Sequence, residues 1–245
     1  MKLGILITSF RNKKEIKEII KQYEGIADRI VVTVSEKAWF GDFYDNGTTK
    51  EAEETSATVH EFYWALEHEQ RNWAMDHLRD MDYVIVSHTD TYFTREDLNK
   101  LKKMKLTDLH YTCNVKTYWR DLETVIDPDL SLPTMIVRSD AVFTNLINIQ
   151  DQEVEPKKLP ITCYHLSWVG PKQRIKEKIM SYSHANEIPI DWIEKIWNNK
   201  NVSTNLAPTN PKDYQGLRKD PLPKEIRKRI KKKEPKHLYD PIFQT

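Results

Sequence analysis

Residues 3–9, Leu3-Gly4-Ile5-Leu6-Ile7-Thr8-Ser9, form a short apolar run, and residues 28–35, Asp28-Arg29-Ile30-Val31-Val32-Thr33-Val34-Ser35, form a second run rich in β-branched side chains. Between the two runs, residues 13–23 carry apolar side chains at helical spacing, at Ile16, Ile19, Ile20 and Tyr23. A strand, a helix and a strand within 35 residues make a β-α-β unit, which implies a parallel sheet. The start of the chain therefore predicts an α/β fold.

Alternating strand and helix patterns continue along the chain. Residues 36–56 are polar and loop-like, residues 61–79 predict a long helix, and residues 82–87 predict a buried strand. Thr94 has the sequence context of a helix N-cap. Further strands are predicted over 109–118, 133–138 and 161–168, and a charged helix over 172–182.

Pro, Asn and Lys dominate from about residue 200 onward. We therefore expect one catalytic α/β domain over residues 1–200 and a C-terminal extension over 201–245, packed on that domain or trailing from it. Residues 223–236 of the extension are strongly basic. They could contact an anionic acceptor such as nucleic acid, another anionic polymer or a membrane surface. The favoured interpretation is an amphipathic helix with Ile226 and Ile230 docked on the core.

The composition is that of a soluble globular protein, with 39% hydrophobic and 31% charged residues among 245. No apolar run approaches the roughly 20 residues of a membrane span, and the first residues do not resemble a signal peptide. Cys113 and Cys163 form no CxxC pair, which argues against a disulfide framework or a zinc knuckle. We expect a cytoplasmic protein with reduced thiols and no membrane span. The near balance of 38 Lys and Arg against 37 Asp and Glu gives no whole-protein reason to bind nucleic acid.

Two polar clusters follow predicted strands. His88-Thr89-Asp90 comes at the carboxyl end of a buried strand, where open α/β sheets bind their ligands. An Asp at such a place is also a common turn former or helix cap. The second cluster is Tyr164-His165-Leu166-Ser167-Trp168 with the basic residues that follow it. Its imidazole could complete a metal site, and its Lys and Arg side chains could meet phosphate oxygens, but His165 could equally be a core histidine.

These clusters carry a family resemblance. The stretch from Gln70-Arg71-Asn72-Trp73-Ala74 through Asp82 to Phe93 resembles the "RN-x-A … D-W-V-L-x-x-D-x-D-E-x-F" segment of GT-A glycosyltransferases. The stretch from Tyr164-His165-Leu166-Ser167-Trp168 to Ser181-Tyr182-Ser183-His184 is similar to the "H-x-S-W … K … S-x-S-H" segment of relatives of β-1,4-mannosyl-glycoprotein N-acetylglucosaminyltransferase. The resemblance covers residues 1 to about 198.

The resemblance implies a GT-A-like, Rossmann-like, three-layer α/β/α fold with a mostly parallel central sheet. It also implies a nucleoside-diphosphate sugar donor, with a UDP-sugar favoured, and an acceptor glycan or other hydroxyl acceptor. A divalent Mn²⁺ or Mg²⁺ would neutralise the diphosphate, with Asp90, His88 and His165 as the expected ligands. This sequence departs from the pattern at His88 and Thr91, where acidic residues are usual, so the expected ligand set differs from that of the family.

Other site residues follow from matching positions. Thr8 and Arg11 would lie near the nucleotide, and Arg71 would support the donor or its phosphates. Further substrate-binding candidates are Trp39, Tyr118, Trp119, Trp168, Lys178 and His184. The catalytic candidates are Asp90 at the metal and, as possible general bases, Asp127 and Asp151; Asp121 and Glu153 lie in the same stretch, and the sequence does not choose among these acids.

Three alternatives to sugar transfer are weighed. A nucleotidyltransferase usually needs a Gly-rich phosphate loop, and residues 3–13 hold a single Gly. A Rossmann dehydrogenase needs GxGxxG after the first strand, which is missing. A catalytically degenerate nucleotide-sugar or glycan binding protein stays open, because His88 could mark a lost metal site. The sequence therefore predicts a glycosyltransferase of the hexosyltransferase class.

Overall fold

A computed structural model describes residues 1–39, 41–129, 135–145, 148–150, 155–181, 188–189, 191–198 and 216–231. Its strands are β1 Leu3–Ser9, β2 Arg29–Ser35, β3 Thr58–Phe62, β4 Tyr83–His88, β5 Thr91–Tyr92, β6 His110–Arg120, β7 Thr124–Asp127, β8 Met135–Arg138, β9 Lys157–Val169 and β10 Gly216–Lys219. Its helices are α1 Ile16–Tyr23, α2 Thr48–Glu53, α3 Glu67–Asp76, α4 Arg95–Lys103, α5 Lys172–Ser181 and α6 Lys224–Lys231, with a π-helical turn at Ile193–Trp197.

One sheet connects all of these strands. Strands β3, β2, β1 and β4 are neighbours and run parallel, with β1 between β2 and β4. The sheet continues through the antiparallel strands β8, β6, β7 and β10. Strand β9 runs parallel to β6 and antiparallel to the short β5. The expected parallel sheet is thus confirmed at the centre, and antiparallel strands extend it on one side.

Helices cover both faces of the sheet. Along β1, Leu3, Ile5 and Ile7 point to the face that is packed by α1, α4 and α6, whereas Leu6 points to the face packed by α3. This alternation is what a strand buried on both sides requires. The predicted three-layer α/β/α arrangement is confirmed.

The helix expected over residues 61–79 is shorter than predicted. Residues 58–62 instead form β3, which lies parallel to β2. The helix begins only at Glu67, after Leu66, whose backbone N–H donates to the Glu69 carboxylate at 3.2 Å. Because the strand is stabilised by its distant partner β2, local helical spacing did not reveal it.

Residues 36–56 are also more ordered than the loop that their polarity predicts, since α2 lies within them. In contrast, the predicted cap at Thr94 is confirmed, because its side chain accepts a hydrogen bond from the backbone N–H of Asp97.

The described part of the C-terminal extension packs on the domain. Strand β10 pairs with β7, and Ile226 and Ile230 of α6 are buried in the main core. Arg227 donates to the Leu122 carbonyl, and Arg229 donates to the Phe93 carbonyl. These two basic residues therefore serve the fold, whereas Lys224 and Lys228 are exposed.

No helix among the described residues combines the length and the apolar character needed to cross a membrane.

Candidate functional site

The end of β4 positions the first polar cluster. His88 is the last residue of β4 and lies beside Thr8 of β1 in the parallel register. Asp90 follows two residues later, and its backbone carbonyl accepts a hydrogen bond of 2.8 Å from the N–H of Leu166 on β9. Pairing between Thr91 and His165 continues this contact. The sheet therefore brings the two clusters, which are more than 70 residues apart in sequence, to one edge.

Asp90 lies in an ion pair that is mostly buried. Its Oδ2 accepts a hydrogen bond of 2.6 Å from the ammonium of Lys178 on α5, and its Oδ1 lies 3.3 Å from Nε2 of His165. The Lys178 ammonium also donates to the Ser167 hydroxyl at 2.6 Å. Only 12% of the Asp90 side chain is exposed. The carboxylate is therefore held by neighbours from both β9 and α5.

Burial and charge act in opposite directions on this pair. Burial raises the pKa of Asp90, but the Lys178 ammonium and His165 outweigh it and hold the pKa well below its usual range. Burial lowers the pKa of Lys178, and the Asp90 carboxylate only partly offsets that effect. The Asp90 side chain is thus an ionised carboxylate at neutral pH.

His88 lies in a different environment. A guanidinium N–H of Arg71 on α3 lies 3.4 Å from His88 Nε2, and the same guanidinium group forms a 2.7 Å ion pair with Glu67. Because a guanidinium group can only donate, Nε2 of His88 is the acceptor. Burial and then the Arg71 charge lower the pKa of His88 to about 4. The imidazole is therefore neutral at physiological pH.

Hydrogen bonds from distant side chains hold the turn that follows β1. Asp45 accepts hydrogen bonds from the backbone N–H groups of Arg11 at 3.0 Å and Thr48 at 2.6 Å. The Thr48 hydroxyl in turn accepts from the backbone N–H of Asn12 at 2.8 Å. Arg11 takes a positive φ of 54°, which is uncommon for a residue with a Cβ atom. These contacts hold residues 10–12 beside the ends of β1 and β4.

The elements enclose a cavity of about 670 Å³. It lies at the carboxyl ends of β1 and β4, where ligands bind in open α/β sheets. The walls are formed by residues 8–15 at and after the end of β1, by α3, by the end of β4, by β9 and by α5. Among the described residues, six Lys and Arg line it against four Asp and Glu, a positive excess suited to an anionic ligand.

Most of the predicted site residues line this cavity, namely Thr8, Arg11, Trp39, Arg71, His88, Asp90, His165, Trp168 and Lys178. Tyr118 and Trp119 do not line it. They are 0% and 1% exposed, Tyr118 in the main core and Trp119 against Trp168 and Trp192. Both side chains are therefore core aromatics, with no face open to a ligand.

The predicted acids are placed elsewhere. Asp127 does not line the cavity and instead pairs with Arg218 of β10 at 2.9 Å. Asp121 accepts a hydrogen bond from the backbone N–H of Glu123 in the turn between β6 and β7. Asp151, Glu153 and His184 lie outside the described residues.

Glu67, Thr117 and Ser167 contribute to the site, although the sequence assigned no role to them. Glu67 holds Arg71, and the spacing of four residues on a helix was the available signal. Thr117 lies with its hydroxyl 3.3 Å from Nδ1 of His165, and Ser167 accepts from Lys178. The last two contacts depend on strand pairing and on the docking of α5, which no local pattern reveals.

Comparisons with known proteins give distant structural similarities. No protein-family model matches the sequence, and no curated protein matches it. Residues 1–349 of S. aureus TarS align with 73% of this chain and 64% of that one, at 15% identity and a TM-score of 0.47. The mannosyltransferase PcManGT from Pyrobaculum calidifontis, solved with GDP-Man and Mn²⁺, aligns over 73% and 61%, at 12% identity and 0.49. Glucosyl-3-phosphoglycerate synthase from Mycobacterium tuberculosis, solved with UDP, aligns over 56% and 57%, at 12% identity and 0.38.

This chain thus spans less than two thirds of the length of each of these structures. All three TM-scores lie below 0.5.

The expected divalent metal does not fit the described residues. Asp90 supplies the one carboxylate of the expected ligand set, and the Lys178 ammonium already lies on one of its oxygens. His88 turns Nε2 toward the Arg71 guanidinium, and within the described residues no three His, Cys, Asp or Glu side chains are grouped to hold a metal ion. A divalent cation here would lie near the positive charges of Lys178 and Arg71 and would have few anionic ligands. The described residues therefore do not fit the predicted Mn²⁺ or Mg²⁺ site on Asp90, His88 and His165.

Proposed function

We propose that this chain is a glycosyltransferase that moves a sugar from a nucleoside-diphosphate sugar, with a UDP-sugar favoured, to the hydroxyl of an acceptor such as a glycan. The observation that carries the proposal is the Asp90–Lys178 ion pair with His165, which lies buried at the strand ends and opens on the cavity. Desolvated ion pairs contribute little to stability compared with apolar packing, so such a pair in a cleft points to a ligand.

The dimensions and charges of the cavity support this substrate class. Its volume of about 670 Å³ lies within the range of roughly 300–1,000 Å³ typical of small-molecule sites. Lys178 and Arg174 both line it from α5 and would contact the diphosphate. Thr8 and Arg11, at and after the end of β1, and Trp39, after β2, also line the cavity and would contact the nucleoside. A nucleoside diphosphate therefore has both cationic and aromatic partners in one cavity.

Sugar transfer at this site forms one bond and breaks one bond. The acceptor hydroxyl oxygen forms a bond to the anomeric carbon, and the bond from that carbon to the diphosphate oxygen breaks. The electron pair of the broken bond stays on the diphosphate, and the acceptor proton passes to water or to a cavity carboxylate. Fixed cations near the diphosphate stabilise the charge that grows on the leaving group.

The proposal agrees with the identity of two similar structures, a mannosyltransferase and a glucosyl-3-phosphoglycerate synthase, but it rests on the site. The finer resemblance to relatives of β-1,4-mannosyl-glycoprotein N-acetylglucosaminyltransferase stays a prediction. The second candidate is a nucleotide-sugar binding protein without activity. The observation in its favour is the poor fit of a metal to Asp90. The two candidates differ in turnover and not in binding.

A thermal-shift screen tests the proposal. The full chain is heated with UDP, GDP, CDP, TDP or ADP and with their sugars, each with and without Mn²⁺. A ligand that binds only the folded state at about 100 times its Kd stabilises it by about 2.7 kcal/mol, so we expect one base to raise the Tm by several degrees. The matching nucleoside monophosphate is the control for the diphosphate contacts.

The donor sugar that binds is then incubated with the chain, and release of the nucleoside diphosphate is followed. Release, by transfer or by slow hydrolysis, supports the transferase. Binding without release favours the inactive binding protein, and a flat screen with every nucleotide overturns both.

A further inference from the structure

Because a metal fits the site poorly, it has to be asked which other group supplies positive charge to the diphosphate. A sugar transferase of the proposed kind must stabilise a diphosphate leaving group, which carries more negative charge as the glycosidic bond breaks. In the described cavity the group that lies on Asp90 is the Lys178 ammonium, 2.6 Å from Oδ2.

We propose that the Lys178 ammonium, held by Asp90 and Ser167, takes the place of a divalent cation, so that the chain binds the donor diphosphate and stabilises its departure without a metal. This inference rests on the proposed function and names how that same site recognises its substrate.

The geometry leaves room for a phosphate oxygen. An ammonium has three N–H donors. Two of the Lys178 donors are directed at Asp90 and Ser167, each at 2.6 Å, and Lys178 lines the cavity. The ammonium also lies 5.7 Å from the centroid of the Trp168 ring, and among the hydrogen bonds of the described residues its third N–H is left for the ligand. Asp90 and Ser167 act as positioning residues that hold the ammonium in place.

A second cation stands beside the first. Arg174 lies one helical turn before Lys178 on α5, and a spacing of four residues places both on one face of the helix. The Arg174 guanidinium is anchored by the Val169 carbonyl at 2.7 Å and also lines the cavity. The two side chains together present two positive charges, which is the charge of the metal that they would replace. Arg is also well suited to bind phosphate oxygens in pairs.

The alternative arrangement would be costly. A divalent cation that bound Asp90 would have to displace the Lys178 ammonium, which would then lose its buried counterion. Removing one partner from a buried ion pair leaves an uncompensated charge, which is strongly destabilising. The existing pair is therefore preferred over a metal complex with a single carboxylate.

Calorimetric titration of the full chain with UDP and with GDP, in EDTA and in Mn²⁺, tests the inference. We expect the wild-type Kd to be the same in both media. Lys178→Met should weaken diphosphate binding on the order of 10- to 100-fold, as expected for the loss of a charged hydrogen bond. Lys178→Arg should retain binding. Lys176→Met is the matched control, because Lys176 is exposed on the same helix and does not line the cavity.

Asp90→Asn gives a second, independent measurement. It can be used even when circular dichroism shows that Lys178→Met does not fold. It removes the carboxylate but leaves the ammonium. Because Asp90 positions that ammonium, binding should weaken, and by the same factor in EDTA and in Mn²⁺, whereas loss of a metal ligand would weaken binding in Mn²⁺ only.

The outcomes separate two failures. Wild-type binding that requires Mn²⁺, or unchanged binding by Lys178→Met, overturns the inference and leaves the proposed transferase standing. Absence of binding by either nucleotide in both media, with the other nucleotides of the thermal screen also inactive, removes the proposed function itself.

Discussion

At the scale of the residue, His88 has an unusual environment. It occupies the end of a central strand, accepts from the Arg71 guanidinium through Nε2, and is kept neutral by burial and by that positive charge. A carboxylate at this position would pair with Arg71 as an anion. With a neutral imidazole at this position, Arg71 forms its ion pair with Glu67, and His88 adds no negative charge to the cavity.

The pH dependence of stability follows from this environment. The pKa of His88 falls from 6.5 to about 4 on folding, so its contribution is fully present above pH 6.5 and is lost as the pH falls toward 4. Between pH 7.5 and 4.5 we expect the wild type to lose about 2–3 kcal/mol more unfolding free energy than His88→Gln, which keeps an acceptor but does not titrate. Urea denaturation at both pH values measures this difference. Equal losses in the two proteins would show that His88 is not held neutral.

At the scale of the element, the packing of α3 against β1 sets the position of Arg71. Gly4 of β1 lies under the end of this helix, close to Leu78 and Met81. A Cβ atom at Gly4 would lie 2.9 Å from Met81 Cγ and 3.0 Å from Leu78 Cδ2, which is too close for ordinary contact. The missing side chain therefore allows the helix and the following loop to approach the central strand.

Gly4→Ala should accordingly overpack this contact and destabilise the fold by about 1–3 kcal/mol, measured by urea denaturation. Gly216→Ala is the control: Gly216 lies on β10, at the end of the sheet order, and its Cβ atom would lie at an ordinary 3.4 Å from the carbonyl oxygen of Asp127 on β7. We expect that variant to be as stable as the wild type. A Gly4→Ala protein of unchanged stability would mean that the Leu78 and Met81 side chains move aside without cost.

At the scale of the whole molecule, the C-terminal helix belongs to the same core as the first strand. Ile226 of α6 is fully buried in the cluster that also contains Ile5 of β1 and Leu98 of α4. Glu225 accepts a hydrogen bond from the backbone N–H of Arg95 at the start of α4. The described part of the extension is therefore an integral part of the domain that carries the cavity.

Ile226→Ala should lower the free energy of unfolding by about 2–4 kcal/mol, because it leaves a cavity in the main core. The loss should appear as one transition that coincides in tryptophan fluorescence and in circular dichroism. Lys228→Ala, which alters an exposed residue of the same helix, should change stability by less than about 0.5 kcal/mol. Separate transitions in the two signals would instead show that α6 unfolds independently of the sheet.

Much of this architecture could be read from the sequence. The strand pattern of residues 3–9, the buried run that ends at His88 and the cap at Thr94 are local, because apolar periodicity and cap chemistry act over a few residues. Chain order alone then placed Asp90 at the carboxyl end of a parallel strand, where ligands bind. The α/β class and the place of the site were therefore determined by the sequence itself.

Other features were decided only by the tertiary structure. Strand β3 needed β2 as its partner, and the burial of Tyr118 and Trp119, in contrast to Trp168, depended on packing between distant elements. Above all, the contact between Lys178 and Asp90 joins residues 88 positions apart. Charge pairs and burial depend on distance in space, which the order of residues along a chain does not contain, and so the cation on Asp90 could be identified only once the sheet and α5 were in place.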